Sequence, residues 1–147
     1  MYADSWAHPD PATQPEFFSG VPTKRLLAWV IDTALVLALS LLILPFTAFT
    51  GLFFFPFLFL VAGFVYRWVT LTGASATWGM RAMAIEFRTA DGQRFDGAAA
   101  FMHTLGFTVS VAFAPLQLVS IALILISEKG QSLTDHVLGT VAINRAR

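Results

Sequence analysis

Two charged side chains stand inside otherwise apolar stretches of this chain, where an ionisable group is costly and marks either chemistry or a paired contact. Asp32 is the one charge in the run Leu26–Phe49, and Arg67 is the one charge in Leu52–Val69. On helices rising about 1.5 Å per residue, Asp32 lies about 9 Å from the start of its run and Arg67 about 6 Å before the end of the second span, near Leu71. Antiparallel neighbours bring those depths level, so the arithmetic predicts an Asp32–Arg67 ion pair. Arg25 precedes Asp32 by two helical turns and shares its face, with Trp29 between them. An intramembrane charge cluster of Arg25, Asp32 and Arg67 has two readings: mutual neutralisation that pins two helices, or a cation or proton site at Asp32.

Other polar residues do not assemble a reaction centre. His8, His103 and His136 lack the i, i+4 spacing of helical metal ligands. Ser132, Asp135 and His136 are close in sequence but do not by themselves supply a nucleophile, a base and an orienting group. There is no G-x-x-x-x-G-K-[ST] loop, no G-x-G-x-x-G and no cysteine. No catalytic residue, metal site or cofactor is expected, so the chain does not read as an enzyme. Nine basic and nine acidic residues cancel, which argues against a nucleic-acid partner held by a basic face.

The elements that must hold these residues are membrane helices. Of 147 residues 56% are hydrophobic and 12% charged, about half the usual charge of a soluble domain. About 20 apolar residues cross a bilayer core, and the spans are expected at about 26–48, 52–71 and 98–127. Pro45, Thr50 and Gly51 mark a turn between the first two, and the Phe-rich stretch around it reads as lipid-facing. Lys24 and Arg25 precede the first span, Arg81, Arg88 and Arg94 follow the second, and the 45–51 turn has no cation. That bias places the N-terminus and residues 72–103 in the cytoplasm.

Pro115 splits the third apolar segment, which is either one span or a bent helical hairpin starting at an Asp96 N-cap. Lys129, Arg145 and Arg147 favour a cytoplasmic C-terminus. So does alternation at Met83, Ile85 and Phe87 ahead of an Asp91-Gly92 turn, with a second β-like piece at Thr140–Ile143. The expected fold class is therefore an all-α membrane protein: two antiparallel transmembrane helices, a Pro-broken third apolar segment and a short cytoplasmic β-hairpin-like element. Gly106, Ser110 and Ala114 recur every four residues as a helix-packing stripe, within the monomer or between copies. Residues 1–22, with Pro9, Pro11, Pro15 and Pro22, read as a disordered cytoplasmic tail.

Three pieces together resemble the RDD family of small bacterial integral membrane proteins. Arg25-Leu-Leu-Ala28-Trp-Val-Ile-Asp32 is similar to its opening R-x-x-A-x-x-x-D. Thr77-Trp-Gly79-Met80-Arg81 resembles its segment after the second span, and Asp135 with Gly139-Thr140-Val141 resembles its ending. Ser75 stands where the middle motif usually begins with Gly, Met80 where Lys is usual, and His103 where Arg often opens the third segment. The resemblance implies one RDD-like membrane domain over 23–147 and the bacterial inner membrane. It also implies family roles for Thr77, Gly79, Arg81, Asp135, Gly139 and Thr140.

Two functions compete. One is a membrane-embedded accessory or assembly component, partnered by the lipid bilayer and by other membrane proteins or itself. The alternative, drawn from Asp32 and from transport suggested for some family members, is an oligomeric cation/proton exchanger or other small transporter.

Overall fold

A computed structural model describes residues 9–145. Helix α1, Val21–Ile43, begins after Gly20, whose φ of 71° lets the chain turn in from the preceding segment. Its 23 residues make about 35 Å of helix, enough to cross a bilayer core. Pro45 follows its end, and the chain winds through two 3-10 turns, Leu44–Thr47 and Thr50–Leu52. Helix α2, Phe55–Ala74, runs back for about 30 Å. The expected boundaries 26–48 and 52–71 are displaced because Pro45 and the 3-10 turns take up residues 44–52, while α1 starts earlier, at Val21 beside Pro22.

Part of the expected tail carries local structure. Residues 1–8, including His8, lie outside the described residues. Pro15–Phe17 form a 3-10 turn, and the Asn144 side-chain amide donates to the Glu16 and Ser19 carbonyls at 2.8 and 2.9 Å. Lys24 Nζ donates to Asn144 Oδ1 at 2.6 Å, so one asparagine ties the entry of α1 to the chain's last strand.

After α2 a short helix α3, Trp78–Ala82, is capped by Thr77. Strand β1, Ile85–Arg88, then pairs antiparallel with β2, Val141–Asn144, in the register Ile85↔Asn144 to Arg88↔Val141. The two β-like pieces read from alternation do pair with each other. The turn at residues 89–93 leads instead into α4, because its Gly92, at φ 78°, is followed by no second strand.

Helix α4, Gly97–Ala112, starts on the Asp96 cap, whose carboxylate accepts from Ala99 N at 2.8 Å. Phe113 adopts an extended conformation, Pro115 sits in the first turn of α5, Ala114–Ile126, and the two helices bend by 117°. The chain therefore turns back. Gly130 lies against Val21 and Pro22 at the start of α1, and helix α6, Leu133–Leu138, packs beside α4. The Gly106, Ser110, Ala114 stripe is cut by this bend: Ala114 opens α5. Gly106 meets Thr134 of α6, where an added Cβ would come within 2.6 Å of Thr134 Cγ2.

Val21, Ala28, Leu71, Met80, Ile85 and Phe87 belong to a core that gathers where the helix ends meet the sheet. Large apolar side chains such as Leu42, Phe57, Leu118 and Ile126 point outward. Covering that much apolar surface with water is unfavourable by about 25 cal/mol per Å², and hydrocarbon removes the cost.

Candidate functional site: a buried charge network

Two aspartates anchor the site. Asp32 is on α1, three turns from its start. Its Oδ1 accepts from the Tyr66 hydroxyl at 2.6 Å and from Gly79 N at 2.9 Å, and its Oδ2 accepts from the Thr77 hydroxyl at 2.6 Å. Thr77 works twice: its oxygen also accepts from Met80 N at 3.2 Å, capping α3. Gly79 must be glycine, since a Cβ there would stand 2.3 Å from the Ala28 carbonyl oxygen and 2.8 Å from Asp32 Oδ1. The backbone of α3 thereby reaches into α1 and delivers an N–H to the carboxylate.

Asp135 is the second anchor, fully buried on α6. Its Oδ2 accepts from Arg25 Nη1 at 2.7 Å and from Ser132 N at 3.0 Å. Its Oδ1 meets His103 Nε2 at 2.7 Å and accepts from the Thr140 hydroxyl at 2.6 Å. Burial alone would push this carboxyl up, but Arg25, His103 and Thr140 together hold it well below the usual carboxylate range. Arg25 also donates to the Gly130 carbonyl at 3.1 Å. One arginine on the first helix thus fixes the loop and helix that close the chain.

Arg67 corrects the simple pairing. No ion pair joins it to Asp32 among the described residues; Tyr66, its neighbour on α2, takes the carboxylate instead. The Arg67 guanidinium lies 3.9 Å from the centroid of Phe107 and 5.9 Å from that of Phe87, a cation–π arrangement. Its Nε is buried and has no hydrogen-bond partner among the described residues. Phe87 also lies 5.3 Å from the Arg25 guanidinium, so a single ring from β1 separates the two cations.

The remaining motif residues divide. Thr140 joins the Asp135 cage, and Gly139, at φ 75°, closes α6 with only 3.1 Å between a would-be Cβ and Ala90. Arg81 is exposed in the last turn of α3, away from both aspartates. Sequence reasoning missed Tyr66, His103 and Glu86. Tyr66 had a signal in being one residue from an intramembrane charge. Glu86 is buried in β1 and takes Arg88 at 2.6 Å, Arg145 at 3.4 Å and Arg94 at 3.5 Å. Nothing in the spacing of His103 and Asp135 announces their contact.

Two apolar helices long enough to cross a membrane, with a bent third apolar pair, fit a small membrane protein. A sequence model of the RDD family matches residues 20–139, most of the chain, and the protein belongs to that family. No curated protein and no solved structure matches it significantly. Ser75 occupies the position where that family's motif usually begins with Gly; its φ of 58° is the left-handed region that favours glycine. Here the serine hydroxyl compensates, donating to the Phe87 carbonyl at 2.6 Å and accepting from Phe95 N at 2.9 Å.

Proposed function

We propose that the protein is an accessory or assembly component of the bacterial inner membrane, without catalytic activity, that meets lipid and other membrane proteins through its apolar faces. The observation that carries this reading is the occupancy of both aspartates. Asp32 takes three protein donors and Asp135 takes four. Carboxylates committed in this way hold together the helices that carry their donors. Ser132 is likewise committed: its hydroxyl accepts from Asp135 N in a capping box, which supports reading the Ser132, Asp135, His136 group as a helix start.

A cation/proton exchanger at Asp32 is the second reading, and it draws on the position of Asp32 at the wall of an internal cavity. Arg67 borders the same cavity, and its guanidinium opposes a cation there. In support of a cytoplasmic N-terminus and C-terminus, Lys24, Arg25, Arg88, Arg94 and Arg145 gather at the end of the helices away from the 44–54 turn.

The test has two arms. The protein is purified from native membranes in mild detergent, and inverted vesicles containing it are assayed for cation-driven pH change. A monomer that copurifies with one larger membrane complex, with no cation-dependent signal, is the expected result. A cation-driven pH change abolished by Asp32→Asn at normal expression would sink the accessory reading and establish the exchanger.

A further inference from the structure

Asp32 and Arg67 carry opposite charges, border one cavity and do not touch. That cavity, of about 90 Å³, lies between α1, α2 and α4. Trp29, Val36, Phe59, Phe64 and Val111 make most of its wall apolar, while Asp32 and Arg67 are its charged groups. The other two charges of the network, Arg25 and Asp135, are paired with each other and do not line it. Arg67 is 9% exposed, and its Nε has no acceptor among the described residues. Among those residues Asp32 Oδ2 accepts from Thr77 alone, which leaves it capacity for one more donor.

We propose that this cavity binds the head and upper chain of a single-chain membrane amphiphile whose head both donates and accepts hydrogen bonds, a carboxylic acid or an alcohol. The head oxygen accepts from Arg67, and its O–H donates to Asp32. Charge accounting selects this chemistry. Asp32 and Arg67 already cancel, so an added anion would leave the buried cluster negative and an added cation would leave it positive, each expensive in low dielectric. A neutral head that meets both the Arg67 guanidinium and the Asp32 carboxylate adds no net charge to the cluster.

Shape selects the chain. From Arg67 back to Phe59 is about 12 Å of α2 at 1.5 Å per residue. The cavity's lining runs from the charged pair to an apolar end at Phe59 and Val111, which suits a methylene chain. Its apolar lining gives a row of waters too few polar partners. The inference goes beyond the accessory role and stands or falls separately from it.

Radiolabelled decanol is titrated onto the full chain in phosphatidylcholine nanodiscs, with unlabelled decanol, decanoic acid and methyl decanoate as competitors. Gly63→Leu obstructs the cavity without touching either charge. A Cβ at Gly63 meets Val36 Cγ1 at an ordinary 3.5 Å, so the variant is expected to fold, as its thermal unfolding will check. Arg67→Gln removes the guanidinium. The expected result is saturable binding of about one molecule per chain, at least tenfold weaker in both variants. Decanoic acid or decanol should compete and methyl decanoate, which cannot donate, should not; the stronger competitor names the acid or the alcohol as the natural head. Non-saturable uptake, uptake unchanged by Gly63→Leu, or equal competition by the methyl ester would each overturn the proposal.

Discussion

Gly79 shows how a family motif becomes physics. The position lies so close to α1 that the only side chain fitting there is hydrogen, and closeness is what lets its N–H reach Asp32. Gly79→Ala is therefore expected to destabilise by about 3 kcal/mol, the upper end for overpacking, because the listener on the other side is backbone and cannot swing away. Asp32→Asn and Thr77→Val should each cost about 1.5–3 kcal/mol, typical of a hydrogen bond to a charged group. Their double variant should cost clearly less than the sum, since both remove the same bond. Thermal or urea unfolding in one detergent measures all three, and strict additivity would show that Thr77 acts only as the cap of α3.

Asp135 makes a pH prediction with a definite sign. Its folded pKa lies below the unfolded value of about 3.9, so the stability it contributes is complete above that value. It is lost as pH falls below about 4 toward the folded pKa. The unfolding midpoint of the wild type should be level near neutrality and drop in acid. Asp135→Asn should begin about 3–5 kcal/mol less stable, as expected when one partner of a buried pair is removed, and should fall less steeply below pH 4. Parallel acid profiles would mean another carboxyl governs the transition.

Elements with a local signal were legible. The apolar runs and the Asp96 cap depend on neighbours in sequence and appear in the structure; a strand also forms at Ile85–Arg88, but it excludes Met83 and buries Glu86 along with Ile85 and Phe87. The partners inside the site were not legible. Depth arithmetic placed Asp32 and Arg67 level, but helical phase decides which side chain faces Asp32, and one step along α2 exchanges Arg67 for Tyr66. The choice between one crossing and a hairpin likewise rests on contacts made far along the chain, Arg25 with Gly130 and Asp135, and His103 with Asp135. Those contacts, more than Pro115, hold the bend. Proline in the first turn of a helix only replaces an N–H that is unpaired anyway. Pro115→Ala should cost less than about 1 kcal/mol and leave a C-terminal reporter on its original side. A reporter that changes sides would make the proline itself the cause of the turn.

For the whole molecule, the depth of the α4–α5 bend separates a full crossing from a partial one. A Cβ at Gly63 would meet Val36 Cγ1 at 3.5 Å, and Arg67 stacks on Phe107, so four residues back along α2 and four on along α4 Gly63 and Val111 lie at about the depth of Val36. From Val36, α1 continues seven residues to Ile43, about 10 Å of helix, whereas α4 goes only two residues, about 3 Å, before bending at Phe113. The bend thus falls about 7 Å short of the end that α1 reaches. The chain has no cysteine, so single introduced cysteines report without background. A cysteine at Thr50 should react quickly with a membrane-impermeant maleimide added outside intact cells, because residues 44–54 form the exposed turn. One at Phe113 should react slowly from outside and from inside, being short of one surface and a whole helix, about 24 Å, from the other. Fast external labelling at Phe113 would show that α4 and α5 each cross the bilayer, whereas slow labelling from both sides fits a hairpin that stops within it.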